Sequence, residues 1–176
     1  VRKAQALVAL ARRTPGKATE AVAAFHEALK ANSESLLFDE IQLGLAEAYS
    51  LDKRWDDARK AADELINVGK SIKHPIWQGE GITSVAKILV AQGKYTDAVN
   101  IFRDLVLHAR REIQYADGDL RKGKLADMET VGAVEQGWAL VAWAEESGQQ
   151  SDWDKAKSHF EALPGQYPNN EVNTKK

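Results

Sequence analysis

The strongest constraint on the fold of this chain is an apolar pattern that recurs four times. An alanine is followed three, four, seven and eight positions later by small or bulky apolar residues, and charged or amide residues fill many positions between. This spacing places the members on one side of an α-helix. The stripes are Ala21-Ala24-Phe25-Ala28-Leu29, Ala58-Ala61-Ala62-Leu65-Ile66, Ala98-Ile101-Phe102-Leu105-Val106 and, with a histidine in the second place, Ala156-His159-Phe160-Leu163. A repeated helical unit therefore organises the chain, and neighbouring repeats are needed to bury its apolar faces.

Composition limits the possible partners and chemistry. The chain has 176 residues with 24 basic and 26 acidic side chains, so no global positive field attracts phosphates. We therefore expect no nucleic-acid partner. Cysteine is absent, which excludes disulfides and thiolate chemistry and leaves the cellular compartment open. No apolar run approaches the roughly 20 residues needed to cross a bilayer, so we expect no membrane insertion.

A second helical segment precedes each alanine stripe, and a short break separates the two. In the clearest case Gln92-Gly93-Lys94 precedes a helix that begins at Tyr95. Glycine can adopt the left-handed conformation that ends a helix. Thr14-Pro15-Gly16 makes a similar break, whereas Leu51-Asp52-Lys53-Arg54 contains neither proline nor glycine. The sequence predicts hairpins built from eight helices, at about residues 2–13, 17–31, 36–50, 54–69, 76–92, 95–115, 126–147 and 152–163.

Capping residues and prolines predict where several helices begin and end. Asn32-Ser33-Glu34-Ser35 offers helix N-caps, and Pro75 suits the first turn of the fifth helix. Pro164 and Gly165 are expected to end the last helix, and residues 169–176 to form a mobile tail.

Two further segments have alternative interpretations. Between Tyr115 and Lys124 we expect either an extended loop or an extension of helix six that continues into helix seven. The start, Val1-Arg2-Lys3 before an alanine-rich stretch, is interpreted as an amphipathic first helix and not as a signal peptide, because Arg12 follows closely and Gln5 interrupts the apolar part.

These helix pairs resemble the tetratricopeptide repeat, a helix-turn-helix unit of 34 residues. The third repeat matches best: its residues at repeat positions 8, 11, 15, 17, 20, 24 and 27 are Ala86, Leu89, Gly93, Tyr95, Ala98, Phe102 and Leu105. The other repeats supply Val8, Ala9, Gly16, Ala21, Phe25 and Ala28, then Leu45, Ala46, Tyr49, Trp55 and Ala58, and finally Trp153, Ala156 and Phe160. Small residues at positions 8 and 20 let two helix backbones approach closely.

The resemblance implies an all-α fold, an α-solenoid of about four antiparallel helix hairpins wound into a right-handed superhelix. It covers residues 1–168 as one repeat domain. The alanines at positions 21, 58, 98 and 156 are more widely spaced than 34 residues, so the repeats are degenerate and their helices or linkers are longer.

In the tetratricopeptide family, the first helix of each hairpin lines a concave surface and contacts partners through repeat positions 2, 5, 9 and 12. Transferred to this chain, these positions imply a partner-binding face made by Lys3, Leu10, Arg13, Glu40, Leu43, Glu47, Ser50, Glu80, Thr83 and Lys87. Glu40, Glu47 and Glu80 suggest that the bound segment carries a basic residue. Ala6 and Leu10 stand where chaperone-binding members place a carboxylate clamp, so we expect no binding of that kind.

No pattern in the sequence predicts catalysis, a cofactor or a metal site. His26 and His159 flank packing phenylalanines, His74 precedes a proline, and His108 is expected on an outward face. None stands in a catalytic motif. Asp117-Gly118-Asp119 lacks the further oxygen ligands of a calcium loop and is interpreted as a turn.

The five tryptophans have separate interpretations. Trp55 and Trp153 occupy the aromatic position at the start of a second helix and are expected to pack. Trp77, Trp138 and Trp143 are expected to be buried by default, although one of them could be an exposed interface residue.

The function predicted from sequence is a non-catalytic scaffold or interaction module that binds a peptide or protein segment on the concave face. Two alternatives remain open: a substrate-presenting or regulatory repeat region of a larger enzyme, and a helical repeat that binds single-stranded RNA. Apolar faces at the ends of a repeat stack could also pair two copies, so a homodimer is possible.

Overall fold

The computed structural model describes residues 1–14, 16–31 and 37–167. These ranges contain eight α-helices and no β-strand. The helices are α1 (Arg2–Ala11), α2 (Lys17–Ala31), α3 (Phe38–Leu51), α4 (Trp55–Ser71), α5 (Pro75–Ala91), α6 (Tyr95–Tyr115), α7 (Asp119–Ser147) and α8 (Gln150–Gln166). The prediction of an all-helical chain of eight helices is confirmed. The proposed caps at 32–35 and the tail at 169–176 lie outside the described residues.

The chain forms two compact units. The amino-terminal unit is Val1–Ile88, the carboxyl-terminal unit begins at Leu89, and the boundary lies inside α5. In the amino-terminal unit α1 packs against α2 and α3, α2 packs against α3, and α3 packs against α4. In the carboxyl-terminal unit α7 packs against both α6 and α8. Adjacent helices therefore pair as expected for helical hairpins, while the single domain over 1–168 and the superhelical hand stay predictions.

The alanine stripes form the helix contacts. Ala21, Ala58, Ala98 and Ala156 are all buried, and Phe25 and Phe102 are among the largest fully buried side chains. A methyl group is small enough to let two helix backbones approach closely, and the phenylalanines fill the remaining space.

Glycines on the helices provide even closer contacts. A Cβ atom added at Gly44 of α3 would lie 2.0 Å from Cζ of Phe25 in α2. In the carboxyl-terminal unit, a Cβ at Gly137 of α7 would lie 2.5 Å from Cζ of Phe160 in α8. In both units the tip of a phenylalanine ring thus rests directly on the backbone of the facing helix.

Three turns between helices are built in the same way. Arg54, His74 and Lys94 donate main-chain hydrogen bonds to the carbonyls five residues earlier, at 2.9, 2.7 and 2.9 Å. The residue before each donor has a positive φ: 57° at Lys53, 54° at Lys73 and 73° at Gly93. These bonds satisfy carbonyl groups at the helix end that have no hydrogen-bond donor within the helix. The turn after α3 therefore forms without the glycine or proline that usually indicates it.

The segment between α6 and α7 differs from both alternatives expected for it. Helix α6 ends at Tyr115, Ala116 is extended, and Gly118 has a φ of 79°. Helix α7 then begins at Asp119, several residues before the predicted start at 126. Burial of the Leu125 side chain stabilises the first turns of α7. The connection between α6 and α7 is therefore short, and α7 begins earlier in the chain than predicted.

The predicted end of the last helix is also corrected. Helix α8 continues through Pro164 to Gln166. Proline has no N–H group, but it sits in the final turn, where the amide of Tyr167 donates to the carbonyl of Leu163 at 2.9 Å. Proline removes one hydrogen bond there without ending the helix.

Candidate partner-binding surface

A groove lies between α1 and α3 in the amino-terminal unit. Its volume is about 330 Å³. The groove, called the α1–α3 groove below, is lined by Gln5, Val8, Ala9, Arg12, Phe25, Glu40, Leu43, Gly44 and Glu47. Phe25 enters its floor from α2, because Gly44 leaves room for the ring. The result is a recess with apolar side chains and charged groups at its sides.

Polar pairs join the two helices across this groove. Arg12 donates from Nε to Oε1 of Glu47 at 2.7 Å, and a terminal guanidinium nitrogen lies 2.6 Å from the same oxygen. Gln5 donates from Nε2 to Oε2 of Glu40 at 3.0 Å. All four groups are at the surface, so these pairs add little to stability and can exchange for a partner's groups.

Three of the four residues predicted on α3 line the groove. They are Glu40, Leu43 and Glu47. Ser50 lies about one turn beyond Glu47, and its buried hydroxyl has no hydrogen-bond partner among the described residues. The structure therefore brings the α3 part of the predicted surface together at one recess.

The residues predicted on the first helix lie elsewhere: Lys3 and Leu10 are on another side of α1, and Arg13 follows its end at Ala11. Lys3, Leu10 and Arg13 are exposed and do not line the groove. The side of α1 that faces α3 instead carries Gln5 and Arg12. Lys3 and Leu10 lie two residues before Gln5 and Arg12, so at about 100° per residue the predicted and observed sides of α1 differ by nearly half a turn.

Gln5 and Arg12 are the contact residues that sequence reasoning missed. Each pairs with an acidic residue 35 positions later, Glu40 and Glu47 respectively. This separation is close to the repeat length of 34. Complementary polar residues one repeat apart are the pattern that could have identified them.

The residues predicted on α5 do not reach the groove. Lys87 is exposed, Glu80 is half-buried, and Thr83 donates from Oγ1 to the carbonyl of Gly79 at 2.8 Å within its own helix. Their role in partner binding stays a prediction.

Trp77 connects α3 and α5 within the amino-terminal unit. Its Nε1 donates to Oδ2 of Asp39 at 3.1 Å, and its ring lies 5.8 Å from that of Phe38. The main-chain amide of Trp77 donates to Nδ1 of His74 at 3.2 Å, so His74 caps the start of α5. These contacts give Trp77 a structural role.

The other tryptophans are more exposed than expected. Trp153 is 39% exposed, which corrects its interpretation as a packing residue, while Trp55 is half-buried. Trp138 is 50% exposed and stacks edge-on against Phe160 with ring centres 5.3 Å apart. Trp143 lies under the ammonium group of Lys155 at 4.5 Å. Trp138 is thus the exposed aromatic residue among the three considered.

The histidines make structural contacts. His26 pairs with the hydroxyl of Tyr49 at 2.7 Å, and Nε2 of His159 lies 2.7 Å from the carbonyl of Ala133. His108 is buried and contacts Arg111, so its expected outward position is wrong. His108 lies about one helical turn after the buried residue Leu105, so both side chains are on the inner side of α6.

A cluster of three polar groups closes the carboxyl-terminal unit. Arg110 of α6 donates to Oε1 of Glu129 in α7 at 2.6 Å, and both contact the hydroxyl of Tyr167, at 3.2 and 3.1 Å. Burial and the nearby Glu129 carboxylate raise the pKa of Tyr167, which therefore stays protonated and donates to Glu129. The carboxylate also raises the pKa of Arg110.

These features define a class of protein. Antiparallel helices pair through buried alanines, successive hairpins follow one another, and an open groove lies between two first helices. The arrangement is that of a helical-hairpin repeat protein. Among the described residues, no helix combines the length and hydropathy required to span a bilayer.

Comparison with known proteins identifies the family. Two family models, each described as tetratricopeptide repeat, match residues 13–71 and 139–170. Together they cover just over half of the chain, including α2 to α4 and α8. The chain belongs to the tetratricopeptide-repeat family. No match was found among curated proteins or among solved structures. Tetratricopeptide repeats generally mediate protein–protein interactions, and the family is typically non-catalytic.

Proposed function

We propose that this protein is a non-catalytic interaction module that binds a peptide or protein segment in the α1–α3 groove. The observation that carries the proposal is the recess itself, in which Glu40, Leu43 and Glu47 of the expected contact surface surround an apolar floor. Rigid helices hold these groups in place before binding, so little conformational entropy is lost on association.

The chemistry of the groove favours a segment of mixed character. Leu43 and Ala9 offer apolar contact to one side chain above the buried ring of Phe25, while Glu40 and Glu47 favour a neighbouring basic residue. That residue would take the place of Arg12 on Glu47, exchanging one exposed ion pair for another at little cost. Affinity would therefore come mainly from the apolar contact, and the carboxylates would set orientation and specificity.

The proposal is tested by selecting peptides from a random display library against the intact protein. We expect the selected peptides to share an apolar residue next to lysine or arginine. Leu43→Arg should weaken their binding by about tenfold or more, since it fills the apolar floor with charge. Glu47→Lys should weaken binding of the basic peptides in particular.

The matched control is Glu64→Lys, which reverses an exposed carboxylate on α4, outside the groove. It changes the net charge as Glu47→Lys does and should leave peptide affinity unchanged. If Leu43→Arg and Glu64→Lys bind the selected peptides as tightly as the parent, the groove is not the binding site.

The absence of nucleic-acid binding is part of this proposal. The groove carries two carboxylates and one guanidinium group, which does not make a positive track for a phosphate backbone. A salt-sensitive mobility shift with mixed single-stranded RNA would contradict this expectation. A repeat region that presents a substrate to an enzyme would use the same groove, and the identity of a co-purified partner distinguishes the two roles.

A further inference from the structure

The α1–α3 groove already holds an arginine side chain of the protein itself. Arg12 follows the end of α1 at Ala11, and its main-chain amide donates to the carbonyl of Val8 at 3.1 Å. From this fixed backbone position the guanidinium group reaches Glu47. Its Nε donates to Oε1 of that residue at 2.7 Å, and a terminal nitrogen lies 2.6 Å from the same oxygen. The carboxylate offered to a basic residue of a partner is therefore occupied by a basic residue of this chain.

The two carboxylates of the groove differ in the group that opposes them. Glu47 meets the positive charge of Arg12, whereas Glu40 accepts a hydrogen bond at 3.0 Å from the uncharged amide of Gln5. Among the described residues that line the groove, Arg12 is the basic one. An amide donor satisfies part of a carboxylate without neutralising its charge. Arg12, and not Gln5, is therefore the group that competes with a partner's positive charge.

The exposure of the Arg12–Glu47 pair allows this competition. The side chain of Arg12 is 61% exposed and that of Glu47 is 39% exposed. An ion pair at this exposure contributes little, because water and salt screen it. Only the side chain of Arg12 has to leave, since its main-chain bond to Val8 does not depend on the guanidinium group. The pair can therefore open at low cost while α1 and α3 stay in place.

The geometry of this contact favours arginine over lysine as its replacement. Two nitrogens of one guanidinium group lie close to a single oxygen of Glu47. A planar guanidinium from a partner can reproduce both contacts, whereas a lysine ammonium places a single nitrogen there. Exchange with an arginine therefore restores what the displaced Arg12 loses, and exchange with a lysine restores less.

We propose that Arg12 is a built-in competitor for Glu47, which lowers the affinity of the α1–α3 groove for arginine-containing segments and makes the groove select arginine over lysine. This inference rests on the proposed function, since it concerns the same groove. The partner's arginine replaces Arg12 on Glu47, so the exchange is nearly neutral in energy. Removal of the Arg12 side chain leaves the carboxylate open to the partner.

The first test uses three forms of one peptide, taken from the display selection, that carries leucine next to arginine. The second form has lysine in place of the arginine, and the third has citrulline, a neutral analogue of nearly the same shape. The parent protein should bind the arginine form most tightly. Arg12→Ala should tighten binding of the arginine form by about two- to fivefold, the range expected for loss of one exposed ion pair. It should leave affinity for the citrulline form unchanged. Fluorescence anisotropy measures each dissociation constant.

Two variants separate competition from other effects. Arg59→Ala removes an arginine that pairs with Asp63 at 2.9 Å on α4, outside the groove, so it changes the net charge as Arg12→Ala does. Gln5→Ala removes the other side chain that bridges the groove without changing the charge. Each should change affinity for the arginine form less than Arg12→Ala does. In the background of Glu47→Gln, Arg12→Ala should give no gain, because the carboxylate for which the two arginines compete is absent.

The second test measures the salt dependence of binding. In the parent one ion pair replaces another, whereas in Arg12→Ala one ion pair is formed. Raising sodium chloride from about 0.05 to 0.5 M should therefore weaken binding of the arginine form more in Arg12→Ala than in the parent. A purely structural role of Arg12 predicts no such difference. Circular dichroism melting checks the fold, and Arg12→Gln, which keeps most of the side chain, should change affinity in the same direction.

The outcomes distinguish this inference from the proposed function. If Leu43→Arg leaves peptide binding intact, the groove is not the binding site and both proposals fail. If Leu43→Arg weakens binding but neither Arg12→Ala nor Arg12→Gln tightens it, the competition by Arg12 is overturned and the groove remains the site. An equal gain from Arg59→Ala overturns it as well, because the effect then comes from net charge. Equal affinity of the parent for the lysine and arginine forms overturns the selection of arginine.

Discussion

At the scale of single residues, the contact between Phe25 and Gly44 makes a sharp prediction. A Cβ atom at position 44 would lie 2.0 Å from the ring of Phe25, which is fully buried. Gly44→Ala should therefore destabilise the protein by about 1–3 kcal/mol through overpacking, despite the higher helix propensity of alanine. Thermal or urea unfolding measures the change.

The matched control is Gly123→Ala in α7. A Cβ atom there meets nothing within 4 Å. This variant should gain about 0.5–1 kcal/mol, because alanine favours the helix and adds no clash. Equal stability changes for the two variants would mean that Phe25 does not rest on Gly44.

The hydroxyl of Tyr167 provides a second prediction at this scale. Tyr167→Phe removes the hydrogen bonds to Arg110 and Glu129, although these two stay paired with each other. We expect a loss of about 0.5–1.5 kcal/mol in the free energy of unfolding. Tyr115→Phe removes the hydroxyl of an exposed tyrosine and should change little. A similar effect of both changes would contradict a role for this cluster.

Burial of a residue was predictable from the sequence only where the residue belongs to an apolar stripe with helical spacing. Ala98 and Phe102 lie on an apolar stripe, and both are buried. The role of Gly44 could not be predicted, because nothing in its own helix indicates which ring will approach it. Tertiary contacts of this kind depend on the spacing of two helices and not on the pattern of either one.

At the scale of elements, the turns make a prediction about backbone strain. Lys53 adopts the left-handed conformation that Gly93 adopts in the corresponding turn of the next hairpin, with φ values of 57° and 73°. Lys53→Gly should stabilise the protein by about 1 kcal/mol, and Gly93→Lys should destabilise it by a similar amount. Melting temperatures of the two variants provide the measurement. If Lys53→Gly lowers the melting temperature, the turn is not strained.

The junction between α7 and α8 should respond to acid. Asp152 is buried and accepts hydrogen bonds from Lys155 Nζ and Ser147 Oγ, each at 2.7 Å. The bond from Lys155, followed by that from Ser147, lowers the pKa of Asp152 from its ordinary value of 3.8. Because the unfolded carboxyl has the higher pKa, this stabilisation is present above pH 3.8 and is lost as the pH falls through the lowered value.

Asp152→Asn should therefore lower the melting temperature most near neutral pH. The difference from the parent should shrink as the pH falls below 3.8. Asp97→Asn, at an exposed aspartate in the first turn of α6, is the control and should have a smaller effect. A difference that is constant over the whole pH range would contradict the contribution of Asp152.

Most helices were predictable because their apolar period is regular, but two ends were not. The first turns of α7 are polar apart from Leu120 and Leu125, so only the burial of Leu125 against its surroundings supports a helix there. The end of α8 was predicted at proline because a proline inside a helix is costly. That cost is limited near the end of α8, because only the carbonyl of Phe160 loses its main-chain donor and just two helical residues follow the proline.

At the scale of the whole molecule, destabilisation should spread unevenly. In repeat proteins each hairpin contacts mainly its neighbours, so stability is a sum of local terms. Gly44→Ala should therefore increase amide hydrogen exchange in α2 and α3 more than in α7 and α8. Native-state exchange measured by mass spectrometry checks this. A uniform increase throughout the chain would instead indicate one cooperative domain.

The residues that line the α1–α3 groove were predictable on α3 and not on α1. On α3 the family positions coincide with the groove at Glu40 and Glu47. On α1 they do not, because Gln5 and Arg12 face α3 while Leu10 faces outwards. The rotation of α1 is set by its contacts with α2 and α3, which the sequence of α1 alone does not reveal.

The shared turn geometry has a consequence for how such a sequence can evolve. Bonds from Arg54, His74 and Lys94 to carbonyls five residues earlier use only the main chain. Substitutions in these turns therefore leave the reversal of direction intact, provided that one residue tolerates a positive φ. Selection can therefore act on the buried alanines and leave the side chains of these turns free to vary.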